Sequence, residues 1–236
     1  MGKKRKDAGA KFDGAAIHSP DEAIALTKSM ATAGFDETVE AAFLLGIDAR
    51  QADQAVRGTV SLPNGTGKDV RVAVFAEGEK AREAEEAGAD LVGGADLAAA
   101  ITEGSQALDW DVTIAMPSLM AEVGKLGRVL GPRGLMPNPK AGTVTMDIGK
   151  AVTEFKGGRV EYRNDRYGNV HVAIGKVSFE EHALKVNLAS VVEELTRVRP
   201  SSAKGRYIQK LTLSSTMGLG IKVDVNALDD LREVLR

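Results

Sequence analysis

Between residues 70 and 155 the sequence alternates short apolar runs with charged segments of helical period, and this alternation constrains the fold more than any other feature. Runs rich in β-branched residues predict strands at 70–76, 90–92 and 111–115, and the segments that follow them predict helices at 78–87, 95–103 and 118–130. This order of elements is typical of right-handed βαβ units around a parallel sheet. A last helix is predicted over 147–155.

The two ends of the chain follow a different, strand-rich pattern. Ser19-Pro20-Asp21-Glu22 begins a helix, because Ser is a good N-cap, Pro suits the first position and acids favour the N-terminus. Strands are predicted at 39–47, 57–62, 206–215 and 220–225, a hairpin at 159–163 and 170–175, and a long helix at 179–199. The acidic end after 224 is predicted as a short helix or a frayed terminus.

Gly-rich stretches separate the two patterns. They predict a discontinuous domain of residues 1–66 and 159–236, with an inserted domain of residues 67–158. The predicted class is α/β, with an α+β terminal domain and an inserted domain of βαβ units. The candidate hinge residues are Gly65, Gly67, Gly157 and Gly158.

The net charge of −2, from 31 basic and 33 acidic residues, argues at first against a nucleic-acid binder. Divided by domain, the charge is unequal: residues 1–66 carry −1, residues 159–236 carry +3, and the insert carries −4. The terminal domain, at +2, is therefore the better place for a polyanion.

Composition excludes several classes. The chain has no Cys, which rules out disulfides, thiolate chemistry, zinc fingers and iron–sulfur clusters. No apolar run reaches the length of a signal peptide or a membrane span, which predicts a cytosolic protein without a membrane partner. Residues 1–14 are predicted as a mobile basic arm, either a solubilising tail or a phosphate-contacting arm.

Motifs for catalysis are incomplete. Gly65-Thr66-Gly67-Lys68 is not a phosphate loop, because Leu62 and Asp69 stand where Gly and Ser or Thr are needed. The chain lacks a GxSxG elbow, and the three histidines have no ligand partners at metal-binding spacing. We predict no catalytic residue, metal or cofactor. An enzyme that holds a nucleotide in the insert stays as the rival interpretation.

Three polar clusters remain, at 34–38, 163–166 and 214–218. Phe35 is either a core residue or an exposed platform. The second cluster either stabilises its own turn or binds phosphates and ribose hydroxyls through forked side-chain hydrogen bonds. The small residues of the third suit close approach to an RNA backbone and its 2′-hydroxyls. These clusters favour RNA binding over a protein-interaction module, which stays open.

Several stretches together resemble one family, the bacterial form of the first protein of the large ribosomal subunit (ribosomal L-one). They are FDETVE (35–40), GIDARQADQAVRGTVSLPNGTGK (46–68), EAGADLVGG (86–94), LGPRGLMPNPKAGTV (130–144), GRVEYRND (158–165) and SSTMG (214–218). They occur in order over nearly the whole chain, and the loop at 130–144 is long and specific.

The resemblance implies a non-enzymatic protein of the cytoplasmic ribosome, monomeric when free. In the family the discontinuous domain is built around an antiparallel sheet and binds large-subunit rRNA. The insert is Rossmann-like and can swing. The assembly forms a mobile stalk beside the E site and assists release of deacylated tRNA. Bacterial members also repress their own operon by binding its mRNA.

The family's RNA-contacting positions, carried over by motif, fall in the three clusters, on the strand after the first cluster and on the second strand of the hairpin. They are Phe35, Thr38, Glu40, Arg163, Asp165, Arg166, His171, Ser214, Thr216, Met217 and Gly218.

Overall fold

The structure is a computed structural model that describes residues 9–10 and 13–233. Most of the predicted basic arm, residues 1–8, 11 and 12, lies outside the described residues. The chain forms two compact units, one of Met1–Gly67 with Val160–Arg236 and one of Lys68–Arg159. Helices and strands are mixed in several sheets, so the predicted α/β class is confirmed.

The elements are these, in chain order. The strands are β1 (Ile17–His18), β2 (Thr38–Leu45), β3 (Arg57–Ser61), β4 (Val72–Phe75), β5 (Leu91–Gly93), β6 (Val112–Ala115), β7 (Arg159–Arg163), β8 (Asn169–Lys176), β9 (Ile208–Ser215) and β10 (Ile221–Val223). The helices are α1 (Pro20–Met30), α2 (Glu79–Glu86), α3 (Ala95–Glu103), α4 (Met120–Lys125), α5 (Gly127–Leu130), α6 (Ile148–Lys156), α7 (Glu181–Arg197) and α8 (Leu228–Glu233). Short 3-10 turns lie at Ala52–Gln54, Pro117–Leu119 and Pro139–Ala141.

In the first unit, five strands form a sheet in the order β1-β10-β9-β2-β8. Alternate residues of β2 point to opposite faces, since Val39, Ala41 and Phe43 are buried whereas Glu40 is exposed. The buried face packs with apolar residues of α1 and α7 into one core. The other face is polar and at least partly accessible along β2, β8 and β9.

Helix α1 begins as the sequence predicts. The Ser19 hydroxyl accepts a hydrogen bond from the Glu22 N–H, and the Glu22 carboxylate accepts one from the Ser19 N–H, both at 3.3 Å. This capping box satisfies two backbone donors that the first turn leaves unpaired.

One prediction about the terminal domain is wrong in detail. The strands β7 and β8 do not form a regular hairpin: β7 pairs with β3 in a separate two-stranded sheet, while β8 pairs with β2. A single bridge between Asn164 and Val170 joins them. The large sheet is antiparallel as expected, except that β1 pairs parallel with β10 at its edge. A two-residue strand carries too little sequence pattern to be found from periodicity.

The second unit is built on a parallel sheet of order β5-β4-β6. Strand β4 is buried on both sides, with Ala73 and Phe75 in one apolar cluster and Val72 and Val74 in another. Residues of α3, α4 and α5 contribute to the first cluster, and residues of α2 and α6 to the second. Helices therefore cover both faces, as parallel sheets require. The single helix predicted at 118–130 is interrupted at Leu126.

A buried asparagine fixes the segment that leaves the first unit. Asn187 of α7 is 0% exposed. Its side-chain amide donates to the carbonyls of Gly65 (2.9 Å) and Ile174 (2.8 Å), and its oxygen accepts from the Asn64 N–H (3.1 Å). A Cβ on Gly67 would lie 2.8 Å from carbons of Lys176 and Phe179. Gly65 and Gly67, expected at a hinge, are thus both packed within the first unit.

We expect Asn187→Leu to lower the free energy of unfolding by about 2–3 kcal/mol, because each buried polar group left unpaired costs about 1–3 kcal/mol. Urea unfolding followed by circular dichroism measures this. Ser190→Ala, on the same helix, removes only a hydroxyl that donates to the Val186 carbonyl and should cost less than about 1 kcal/mol. Equal effects of the two substitutions would contradict the anchoring role.

Candidate nucleic-acid interface

A buried carboxylate organises one end of the large sheet. Glu37, just before β2, is only 1% exposed. Its Oε1 accepts hydrogen bonds from the backbone N–H groups of Thr32 (3.0 Å) and Ala33 (2.8 Å), and its Oε2 accepts one from the N–H of Met217 (2.9 Å). One side chain therefore joins the loop after α1 to the loop after β9.

Burial opposes ionisation of Glu37, but the N–H groups of Met217, Ala33 and Thr32 outweigh it. The pKa of this carboxyl is consequently lower than usual, and Glu37 is ionised at neutral pH. The backbone donors stabilise its charge, and the same hydrogen bonds hold both loops in one arrangement.

Thr38 and Thr216 complete the junction. The Thr38 N–H donates to the Thr216 hydroxyl (2.9 Å), and the Thr216 N–H donates to the Thr38 carbonyl (3.0 Å). The Thr216 hydroxyl also donates to that carbonyl at 3.3 Å. Thr216, predicted as an RNA contact, thus anchors the loop that carries Met217 and Gly218.

Lys176, the last residue of β8, adds a positive charge to this end. Its ammonium donates to the Thr38 hydroxyl at 3.0 Å. Next to it the Asp36 carboxylate accepts from the hydroxyl (2.7 Å) and the N–H (3.1 Å) of Ser178. The Ser178 hydroxyl is the main reason that the pKa of Asp36 is lowered. The loop that carries Phe35 is therefore tied to β2, β8 and β9.

Two apolar side chains project from this rigid base. Phe35 is 58% exposed and Met217 is 63% exposed. Phe35 is therefore a surface platform and does not belong to the core. Both side chains belong to loops that Glu37 holds at this end of the sheet, so both are accessible to a ligand there.

Gly218 has an internal reason to be glycine. A Cβ there would collide with the Ser215 hydroxyl oxygen and would lie 3.3 Å from the Ser215 nitrogen. The Gly218 N–H also closes a turn on the Ser215 carbonyl at 2.9 Å. A larger residue at 218 would disturb the turn itself, so its effect on a ligand cannot be separated from its effect on the fold.

The accessible face of the sheet continues from this end. Glu40 stands between Ser214 of β9 and Ala173 of β8, and Ala42 stands between Thr212 and His171. These residues share the face opposite the core, with small or polar side chains. Glu40, His171 and Ser214 therefore belong to the same surface as Thr216 and Met217.

The three remaining candidates lie elsewhere. Lys176 pairs with Thr38 at one end of β8, and Asn169 pairs with Leu44 at the other. The seven steps along β8 from Asn169 to Lys176 span about 23 Å. Arg163, Asp165 and Arg166 precede Asn169, so they lie near the far end of the sheet, away from Thr216.

Asp165 is a turn residue. Its carboxylate accepts hydrogen bonds from the side chain (2.9 Å) and N–H (2.8 Å) of Asn169 and from the N–H of Tyr167 (2.8 Å). The Asn169 amide is the largest cause of the lowered pKa of Asp165. The hydrogen bonds of the Asp165 carboxylate therefore stabilise its own turn. The exposed side chains of this turn are Arg163, Arg166 and Tyr167. The Arg166 guanidinium lies 4.8 Å from the centre of the Tyr167 ring.

The insert offers little to a nucleotide. In open parallel sheets, ligands bind at the carboxyl ends of the strands. There, Glu77 packs so closely on Gly94 that a Cβ would lie 2.5 Å from its carboxylate oxygen, and Asp96 accepts from the Gly94 N–H at 2.8 Å. Two carboxylates at this position repel a phosphate.

Sequence reasoning missed Glu37 and Lys176. The sequence places Glu37 only in a polar cluster, because a Glu in a loop is usually solvated. Lys176 belongs to the site because it pairs opposite Thr38. The sequence does not show which residues of two strands pair, so Lys176 could not be found from it.

Comparison with known proteins decides the family. The model of the ribosomal protein L1p/L10e family matches residues 26–219. The large ribosomal subunit protein uL1 of Thermobifida fusca (strain YX) is 55% identical over 225 residues, which are 95% of each chain. The chain belongs to the ribosomal L1 family.

As an L1-family protein, the chain is a structural constituent of the large ribosomal subunit and not an enzyme. The expected family and its place at the cytoplasmic ribosome are confirmed. In the described part of the chain, no helix is both long and apolar enough to cross a membrane.

Glu37→Gln in this L1-family protein should lower the free energy of unfolding at pH 7 by about 1–3 kcal/mol, the cost of weakening hydrogen bonds to a buried charge. A lowered folded pKa gives stability that is fully present above the unfolded value of about 4.3 and is lost as pH falls through the folded pKa. The difference between wild type and variant should therefore shrink below about pH 4.

Urea unfolding at a series of pH values measures this difference. Glu40→Gln is the matched control, because Glu40 lies three residues further along the chain, on β2, and its side chain is exposed. A pH-independent difference for Glu37→Gln would show that its charge is not what holds the loops.

Proposed function

We propose that the first unit binds large-subunit rRNA through the surface made by Phe35, Thr38, Glu40, Ser214 and Thr216–Gly218. The observation that carries this proposal is the exposure of Phe35 and Met217 on a base fixed by the buried Glu37. Such a surface is rigid before binding, so little ordering entropy is lost when RNA docks.

The chemistry of the surface suits RNA. A-form RNA presents a wide, shallow minor groove lined with 2′-hydroxyls. Ser214 offers a hydroxyl, and Lys176 offers an ammonium for a phosphate beside it. Phe35 and Met217 can lie against ribose or base faces. The second group of candidates, Arg163 and Arg166, would contact the same RNA about 20 Å away, roughly the length of β8.

The wider role follows from the same surface. We infer that rRNA bound there forms the mobile stalk near the E site, and that the stalk assists release of deacylated tRNA. The operon's mRNA would occupy the same surface, so repression and assembly would compete. The unit boundaries at Gly67 and Arg159 support a hinge that includes Gly157 and Gly158, with the insert as the moving part.

Met217→Glu should weaken binding to a stalk rRNA fragment at least tenfold, because it places a negative charge against the RNA. The Met217 N–H that bonds Glu37 is retained, so thermal stability should be unchanged. Fluorescence anisotropy with labelled RNA measures the affinity.

Met146→Glu is the matched control, because Met146 is 56% exposed and lies in the other unit. It adds the same charge and should change affinity less than twofold. Equal weakening by both substitutions would mean that only net charge matters, and the surface assignment would fail.

The salt dependence of rRNA binding should be shallow. The cations on the accessible face of the sheet are few, namely Lys176, Lys210 and Lys222, and each phosphate contact contributes only about 0.7–0.9 to the slope of log affinity against log salt. We expect these lysines, together with Arg163 and Arg166, to contribute no more than about −4.5 to the slope. Titrations between 50 and 200 mM salt, with stalk rRNA and with the leader of the operon's mRNA, test it. A much steeper slope, or no competition between the two RNAs, would contradict the proposal.

A further inference from the structure

The second unit contains a basic segment in acidic surroundings. Residues 116–146 carry four basic residues and one acidic residue, a net charge of +3. The rest of the unit, within 68–159, carries seven basic and thirteen acidic residues, a net charge of −6. The acidic charge of the unit as a whole hides this separation.

Ion pairing divides the basic residues in the same way. Outside the segment, six of the seven form ion pairs with carboxylates: Lys68, Arg71, Lys80, Lys150, Lys156 and Arg159. Within it, Lys125 pairs with Glu122 at 2.7 Å, whereas Arg128, Arg133 and Lys140 have no ion pair with any described carboxylate. Arg133 reaches only a backbone carbonyl, that of Leu108, at 3.5 Å.

The segment has a well-defined outer face. Leu119, Val123, Leu126 and Leu130 are buried in the core of the unit, so the intervening positions face outward. Gly124 and Arg128, four residues apart on that face, are exposed, as are all residues from 131 to 134. Hydrogen bonds from Gly131 to Gly127 (3.0 Å) and from Leu135 to Leu130 (3.0 Å) fold these residues back on the helix.

At two positions on this face, neither a contact within the protein nor the backbone conformation requires glycine. A Cβ on Gly124 or Gly127 would meet nothing within 4 Å, and neither residue has positive φ. Gly is among the worst residues for a helix interior, so Gly124 within α4 lowers helix stability. The bare backbone beside unpaired guanidinium groups allows an anionic chain to approach closely.

We propose that the outer face of 124–134, with Arg128 and Arg133 as its cations, is a second RNA contact that binds the sugar–phosphate backbone without reading sequence. Guanidinium groups match phosphate oxygens in bidentate geometry. The surface lies in a different unit from the Met217 surface and would act on whatever RNA that surface holds or on a neighbouring RNA. An acidic protein would need the same charges but no close backbone approach, so RNA is favoured.

The test uses the full chain and a 20-base-pair RNA duplex of arbitrary sequence as the probe. Arg128→Gln with Arg133→Gln should weaken binding about tenfold. It should also reduce the slope of log affinity against log salt by about 1.4–1.8, as expected for two lost phosphate contacts. Arg82→Gln with Lys150→Gln removes the same charge from exposed positions elsewhere in the unit and should change affinity less than twofold.

Repeating the measurement in the Met217→Glu background separates the two surfaces. If the arginine pair still matters there, the second contact stands even if the Met217 surface proves wrong. Gly124→Gln should leave the melting temperature unchanged or higher and still weaken RNA binding. Equal affinities for the arginine and control pairs would overturn the proposal, as would competition by poly-glutamate as effective as competition by RNA.

Discussion

A single buried carboxylate holds the candidate surface together. Glu37 accepts hydrogen bonds from backbone groups on both sides of the sheet's end, and those donors outweigh the cost of burying its charge. Without it, the loops that carry Phe35 and Met217 would each need another anchor. The exposed side chains of the proposed RNA contact are thus positioned by a buried one.

The pairing of β2 with β8 and β9 gives the surface its second constraint. The core fixes which residues point inward, because Val39, Ala41 and Phe43 must be buried. Alternation then places Glu40 and Ser214 on the accessible face without any further requirement. The same register keeps Arg166 and Thr216 at opposite ends of the sheet. One ligand can therefore contact both residues only if it is long enough to span that distance.

Much of this could be predicted from sequence, and the failures have physical causes. Helix α1 was predictable because its capping box is local. The parallel insert was predictable because buried strands and amphipathic helices have distinct periods. The separation of β7 from β8 was not, since adjacent strands with a turn between them suggest a hairpin whatever their true partners. The roles of Glu37 and Asp165 depend on which backbone donors surround them, and sequence does not show this.

The placement of β2 also bears on how the chain folds during synthesis. Both of its neighbours, β8 and β9, follow the whole inserted unit in the sequence. β8 is complete only about 131 residues after β2, so at about 5–20 residues per second β2 has no strand partner for on the order of 7–26 s. The insert, whose strands are close in sequence, can fold in that interval, whereas β2, an inner strand of the other unit, waits with both edges open. During synthesis the apolar side chains and open edges of β2 are therefore exposed to wrong pairing for longer than any strand of the insert.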